Sequence, residues 1–188
     1  MERVTLVLFL FLAVFASNVS AQTPASTPLP PAKQAKRDAT RDRLKAVLAD
    51  SAVKTIGVAF KQSEKNPYNF VAVTEGPFKN LNSFEIVIGV SIDETMGFRI
   101  YPKLGSRYVN IDKASNPTGL MRQMLNLSHH NFLYWGADDT GDIFAGYTIT
   151  LESGFPDDAV RVILNSVKPL DEYVGRMRPN ILGQVASH

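Results

Sequence analysis

The amino-acid sequence predicts an α+β fold, a two-layer sandwich of an antiparallel sheet with helices packed on one face. Runs of apolar residues with a period of two are grouped between stretches with helical periodicity, and no regular strand–helix alternation typical of parallel units occurs. The most regular run is 84–92, where Phe84, Ile86, Ile88, Val90 and Ile92 alternate with other residues. This spacing indicates a strand with one buried face.

Residues 1–21 have the pattern of a secretory signal peptide. Glu2 and Arg3 precede an apolar run from Val4 to Ala16, and small residues follow up to Ala21. The run is shorter than the ~20 apolar residues of a membrane-spanning helix. We therefore expect cleavage behind Ala21, no stable membrane anchor in the mature protein and a periplasmic or secreted location. An uncleaved anchor is the alternative.

The rest of the chain is predicted to form one folded domain between two flexible segments. Four prolines between Gln22 and Lys33 predict a disordered, Pro-rich linker over 22–38. The α+β domain is expected over 39–178, and 179–188 is expected to be a flexible tail.

The elements of the domain are predicted from periodicity and from turn residues. A first helix is expected over 40–52, with strands near 55–62, 68–74, 84–92, 98–102 and 108–111. A second helix should begin at Pro117 behind an N-cap at Asn116, and a hairpin should follow at 132–137 and 142–151. The last helix should begin near Asp157, and Pro169 should kink or split it. The predicted core includes Ile86, Ile88, Val90, Ile149 and Val160.

The second half of the chain resembles a known family. A Leu-rich helix over 120–127 is followed by a Phe-containing strand, an Asp/Gly turn at 138–142, an amphipathic strand and a closing helix over 157–164. This order resembles the YbjN family, which is similar in fold to the type III secretion chaperones. Over roughly 39–177, the resemblance implies a scaffold that dimerises or holds peptide segments of partner proteins, in a chaperone-like role.

Composition and motifs exclude several classes of site. The chain contains no cysteine, which removes thiol catalysis and thiolate metal sites, and it contains no nucleophile elbow or glycine-rich phosphate loop. Adjacent residues of a helix point about 100° apart, so His129 and His130 do not easily bind one ion. We therefore expect no enzyme activity, no cofactor and no metal.

The charge distribution is uneven although the formal net charge is only +2. Six basic residues lie between Lys33 and Lys45, against only Asp38 and Asp42. We interpret this basic segment as a solvated helix start, and we expect no nucleic-acid partner for an exported chain.

Binding is expected at the second face of the sheet and at an aromatic cluster. In the 84–92 strand the second face carries Glu85, Val87, Gly89 and Ser91, a half-apolar set that suits a modest interface. The candidate partner-binding residues are Val87, Phe132, Tyr134, Trp135 and Phe144. The leading hypothesis is a non-enzymatic protein-binding module with a protein partner or a homodimer. The alternative is an extracytoplasmic small-molecule or lipid carrier that uses an aromatic groove.

Overall fold

An antiparallel sheet frames the structure, a computed structural model that describes residues 29–52, 54 and 56–183. In that part of the chain the sheet has seven strands: β1 (Lys61–Gln62), β2 (Asn69–Glu75), β3 (Ser83–Val90), β4 (Thr95–Leu104), β5 (Arg107–Tyr108), β6 (Tyr134–Ala137) and β7 (Ile143–Thr150). Their order is β1-β2-β3-β4-β7-β6, and β5 pairs with the end of β4. The predicted signal peptide lies outside the described residues.

The helices of the described chain are α1 (Pro31–Val47), α2 (Pro117–His129), α3 (Asp157–Asn165) and α4 (Leu170–Leu182), and a π-helical turn at Leu48–Ala52 extends α1. No helix among residues 29–52, 54 and 56–183 has the length and apolar character needed to cross a membrane. The predicted break at Pro169 is confirmed, because α3 ends at Asn165 and α4 begins directly after the proline. The predicted cap is confirmed too, since the side chain of Asn116 accepts a hydrogen bond from the amide of Gly119.

One hydrophobic cluster joins the helices to alternate residues of the sheet. From β3 it contains Phe84, Ile86, Ile88 and Val90, and from β4 it contains Met96, Phe98 and Ile100. Of the predicted core residues, Ile86, Ile88, Val90 and Val160 are buried, whereas Ile149 is half-buried against the same cluster. The α+β sandwich predicted from the sequence is therefore confirmed, with the helices packed on one face of the sheet.

The predicted linker over 22–38 is wrong for its second half. Helix α1 begins at Pro31, whose ring suits the first position of a helix, and continues through the basic segment. Tertiary contacts hold this extra length: Tyr68 donates a hydrogen bond of 2.8 Å to Asp38, and Arg37 donates two to the carbonyl of Val90. Residues 22–28 lie outside the described chain.

Other element bounds also differ from the prediction. The first strand is reduced to Lys61–Gln62, and β3 ends at Val90, so that Ile92 is 54% exposed in the turn that follows. The expected tail over 179–188 is wrong at its start, because α4 continues through Pro179 to Leu182. The helix ends at Gly183, which has a positive φ of 84°.

Candidate binding surface on the sheet

In the described part of the chain, the helices pack on one face of the sheet and none packs on the other. Because successive strand residues point to opposite faces, the residues that alternate with the core point away from the helices. We call this side the open face. On the central strands it is formed by Glu85, Val87, Gly89, Gly97, Arg99, Tyr101, Lys103, Phe144, Gly146 and Thr148.

A groove of about 420 Å³ runs over part of the open face. Its floor follows a row of paired residues, in which Asn69 pairs with Gly89, Gly89 with Gly97 and Gly97 with Thr148. A Cβ placed on Gly97 would meet no atom within 4 Å. A Cβ on Gly89 would instead stand 2.8 Å from Oδ1 of Asn69, so the floor is open at Gly97 and the Asn69 side chain lies over Gly89. The groove is lined by Arg37, Asn66, Asn69, Val87, Gly89, Val90, Ser91, Thr95, Gly97, Arg99, Tyr101 and Thr148.

Aromatic rings cover the open face beside the groove. The centroids of Tyr101 and Phe144 lie 5.5 Å apart, as do those of Tyr101 and Tyr108, and Tyr134 packs edge-on against Phe144 at 6.0 Å. The ring of Phe144 lies against Gly136 of the neighbouring strand. The glycines of β6 and β7 thus leave the space in which these rings lie against the backbone.

Arg99 stands between the groove and the aromatic rings. Its guanidinium lies 4.9 Å from the centroid of the Phe144 ring, in cation–π geometry. The neighbouring Tyr101 side chain raises the pKa of Arg99, and burial raises the pKa of Tyr101. The guanidinium of Arg99 is therefore a positive charge whose position on the open face is fixed by a neighbouring aromatic ring.

A lysine and a glutamate of the open face neutralise each other. Lys103 lies 3.6 Å from the carboxylate of Glu85, and the hydroxyl of Tyr108 donates a hydrogen bond of 2.7 Å to the same carboxylate. Burial, and then this hydrogen bond, raise the pKa of Tyr108. Such a closed network contributes to the stability of the sheet and leaves little free charge for a ligand.

Arg37 closes the opposite end of the groove. Its guanidinium donates hydrogen bonds of 3.1 and 2.9 Å to the carbonyl of Val90 and stacks 3.6 Å from the centroid of the Tyr68 ring. These contacts fix α1 against the end of β3. The basic segment therefore supplies one wall of the groove.

The five residues predicted to bind a partner do not share one surface. Val87, Phe144 and Tyr134 lie on the open face, where Tyr134 is 43% exposed and Phe144 only 5%. Trp135 is only 6% exposed and belongs to the core cluster, while Phe132 packs against Tyr147 on the helix side. A single groove lined by all the aromatic candidates is therefore not formed.

Arg99, Tyr101 and Gly97 were missed as candidate residues by the sequence analysis. The period of two in β4 could have identified them, because Gly97, Arg99 and Tyr101 alternate with Met96, Phe98 and Ile100. Once the second set is assigned to the core, the first set must lie together on the opposite face.

A second cavity of about 620 Å³ lies at the other end of the molecule, between the loop after β2 and the start of α4. Its wall is stabilised by Asp171, which accepts hydrogen bonds of 2.8 and 2.9 Å from the amides of Lys79 and Asn80. Asp171 lies in the first turn of α4, so its charge also complements the dipole of that helix.

The acidic turn and the adjacent histidines have structural contacts. The carboxylate of Asp138 accepts hydrogen bonds from the amides of Thr140 and Asp142, as expected for a tight hairpin turn. The rings of His129 and His130 pack edge-on with centroids 4.9 Å apart. Within the described ranges, no group of three His, Asp or Glu side chains is placed to hold a metal ion.

Comparisons with known proteins do not assign a family. No protein-family model and no curated protein matches the chain. The solved structure titled "Crystal Structure of the ExsC-ExsE Complex" is similar to it at 16% sequence identity and a TM-score of 0.44, over 78% of this chain and 98% of the other. A likeness of this size identifies neither a family nor a function, and the resemblance to the YbjN family stays a prediction.

Proposed function

We propose that this protein is a non-enzymatic protein-binding module, chaperone-like in that it holds an extended segment of a partner on the open face. The observation that carries the proposal is the groove over Gly89 and Gly97. Beside it stand apolar, aromatic and charged side chains, on a sheet face against which none of the described helices packs. The absence of a catalytic motif in the sequence supports the non-enzymatic part of the proposal.

The size and chemistry of the groove suit a polypeptide. Neighbouring strands lie about 4.8 Å apart, so the row from Asn69 to Thr148 extends for roughly 14 Å, enough for about four residues of extended chain. Asn66, Asn69, Thr95 and Thr148 offer polar groups to a peptide backbone, and Val87 and Tyr101 offer apolar contacts. An extended peptide can use the polar groups for its backbone and the apolar contacts for its side chains.

The carrier hypothesis has weaker support than the protein-binding one. It depended on one aromatic groove, and Trp135 and Phe132 lie on the opposite side of the sheet from Phe144 and Tyr134. A homodimer through the open face is a special case of protein binding, and the experiment below distinguishes it.

We also propose that the module works outside the cytoplasm, in the periplasm or as a secreted protein. The support is the leader sequence, with its apolar run from Val4 to Ala16 and its small residues up to Ala21. Mass spectrometry of the expressed full chain should then find a mature protein that begins at Gln22. Recovery of the intact chain in the membrane fraction would contradict this proposal.

Site-specific photo-crosslinking tests the binding surface. A photoreactive phenylalanine analogue replaces Val87 on the open face in one variant and Arg122 on the exposed side of α2 in a matched control. Both variants are expressed as the full chain in the native host and irradiated, and the crosslinked peptides are sequenced by mass spectrometry.

Crosslinks from position 87 to one defined protein segment, absent from position 122, are expected. The substitution Gly97→Trp, which fills the groove without meeting neighbouring atoms at its Cβ, should abolish them. Crosslinks to a second copy of this chain would identify a homodimer. Equal crosslinking at both positions, or crosslinks that Gly97→Trp leaves unchanged, would overturn the proposal.

A further inference from the structure

We infer that the groove selects an acidic segment and that Arg99 binds its carboxylate, an inference that rests on the proposed function and names the chemistry of the partner. The occupant is an extended stretch of another protein with an Asp or Glu side chain directed at Arg99.

The charge of the groove is the first argument. Its lining contains two guanidinium groups, Arg37 and Arg99, and no carboxylate among the described residues. The remaining polar lining groups are amides and hydroxyls, which are compatible with a negative charge. The groove is therefore complementary to an anionic side chain and unfavourable for a cationic one.

The second argument is that Arg99 has no ion-pair partner. In the described part of the chain, no carboxylate oxygen lies within 4.0 Å of its guanidinium, whereas Lys36, Arg41 and Lys103 each have one. Asp138 lies beyond that distance, although its charge contributes to raising the pKa of Arg99. Arg37, by contrast, already donates two hydrogen bonds to Val90. Arg99 is thus the groove cation with more donors left for a ligand.

The third argument is preorganisation. The Phe144 ring holds the guanidinium in place, so less side-chain entropy is lost when a carboxylate binds. Gly97 precedes Arg99 by two residues on the same face and leaves the approach from the groove free. A planar guanidinium that is held in this way can bind a carboxylate with two parallel hydrogen bonds.

A random linear peptide library displayed on phage tests the inference. The library is selected against the full chain and against four full-chain variants: Arg99→Gln, Arg99→Lys, Gly97→Trp and Arg176→Gln. Arg176 is a matched control, since its guanidinium also stacks on an aromatic ring, that of Tyr173, but on α4, away from the groove. Circular dichroism and thermal melts establish that each variant is folded.

The unmodified chain and Arg176→Gln should enrich peptides with an Asp or Glu at one fixed position. Replacement of that residue by Asn or Gln in the enriched peptide should weaken binding about tenfold, as expected for a hydrogen-bonded charge pair. Arg99→Gln should lose the acidic preference, and Arg99→Lys should retain part of it because the charge remains.

The outcomes separate the inference from the proposed function. Enriched peptides that require Gly97 but show no acidic preference, or a preference that Arg99→Gln leaves intact, overturn the role of Arg99 and leave the open face as a binding surface. Peptides that bind Gly97→Trp as well as the unmodified chain, or a library without enriched peptides, overturn both.

Discussion

The ring of Tyr134 in β6 lies across Gly146, its register partner in β7, so closely that a Cβ on Gly146 would stand 2.7 Å from Cζ of the tyrosine. The same Cβ would stand 2.9 Å from Cε2 of Phe144. Both rings therefore keep their places only because residue 146 has no side chain. Since Phe144 in turn supports Arg99, this contact also positions the cation of the groove.

Gly146→Ala should destabilise the protein by about 1–3 kcal/mol, because the rings of Tyr134 and Phe144 must both move to admit the methyl group. Gly97→Ala on the next strand is the control, since its Cβ meets nothing within 4 Å, and its free energy of unfolding should change little. Urea unfolding measures both. A loss of equal size in the two variants would show that the cost comes from the strand backbone and not from the rings.

The assignment of the two sheet faces can be tested with adjacent residues of β3. Ile88→Ala removes a side chain with no exposed surface from the core and should cost about 2–5 kcal/mol. Val87→Ala, one residue earlier, points to the open face and should cost less than about 1 kcal/mol. Chemical denaturation of both variants gives the comparison. Similar costs at 87 and 88 would mean that the open face is covered in solution.

The loop contact of Asp171 should contribute measurably to stability. Asp171→Asn leaves one oxygen to accept a hydrogen bond and turns an NH₂ group toward a backbone donor, so one of the amides of Lys79 and Asn80 loses its partner. We expect a loss of about 1–3 kcal/mol in the free energy of unfolding. Glu172→Gln, at the exposed neighbouring position, should be nearly neutral and is the control. Equal losses in the two variants would show that the cost comes from the negative charge removed at the start of α4 and not from the loop contact.

Tyr108 should make stability depend on pH in the alkaline range. Its pKa is raised by burial and by its hydrogen bond to Glu85, so the folded protein retains the phenolic proton at a pH where the unfolded chain releases it. This contribution is complete below about pH 10, the pKa of a free tyrosine, and is lost as the pH rises toward the folded-state pKa.

The free energy of unfolding, measured from pH 8 to pH 11 for the unmodified chain and for Tyr108→Phe, checks this expectation. Below about pH 10 the unmodified chain should have the larger free energy of unfolding. Above that pH its advantage over Tyr108→Phe should shrink, because the phenylalanine has no proton to release. A difference that stays constant across the range would show that the pKa of Tyr108 is the same in both states.

Local patterns of the sequence correctly predicted those structural features that depend only on residues close together in the chain. The alternation from Phe84 to Val90 predicted which side chains face the core, since a strand has a period of two whatever it packs against. The cap at Asn116 and the break at Pro169 were predicted for the same reason, because a capping side chain and a proline act on the backbone within a few residues.

The aromatic candidates show where a local pattern was read incompletely. Tyr134 and Trp135 are adjacent in one strand and therefore point to opposite faces, so they could never line one groove. Their grouping by aromatic type ignored this geometry. The position of Phe132 was not predictable in this way, because it precedes the strand and its contact with Tyr147 depends on the path of the loop.

By itself, the sequence determined the α+β class, the core faces of β3 and β7, the N-cap at Asn116 and the break at Pro169. Only the tertiary structure decided that α1 begins at Pro31, that Arg99 stands over Phe144 without a carboxylate partner, and that Gly89 and Gly97 form one groove floor. Periodicity describes one element at a time, whereas these features depend on the register between strands and on contacts between residues far apart in the chain.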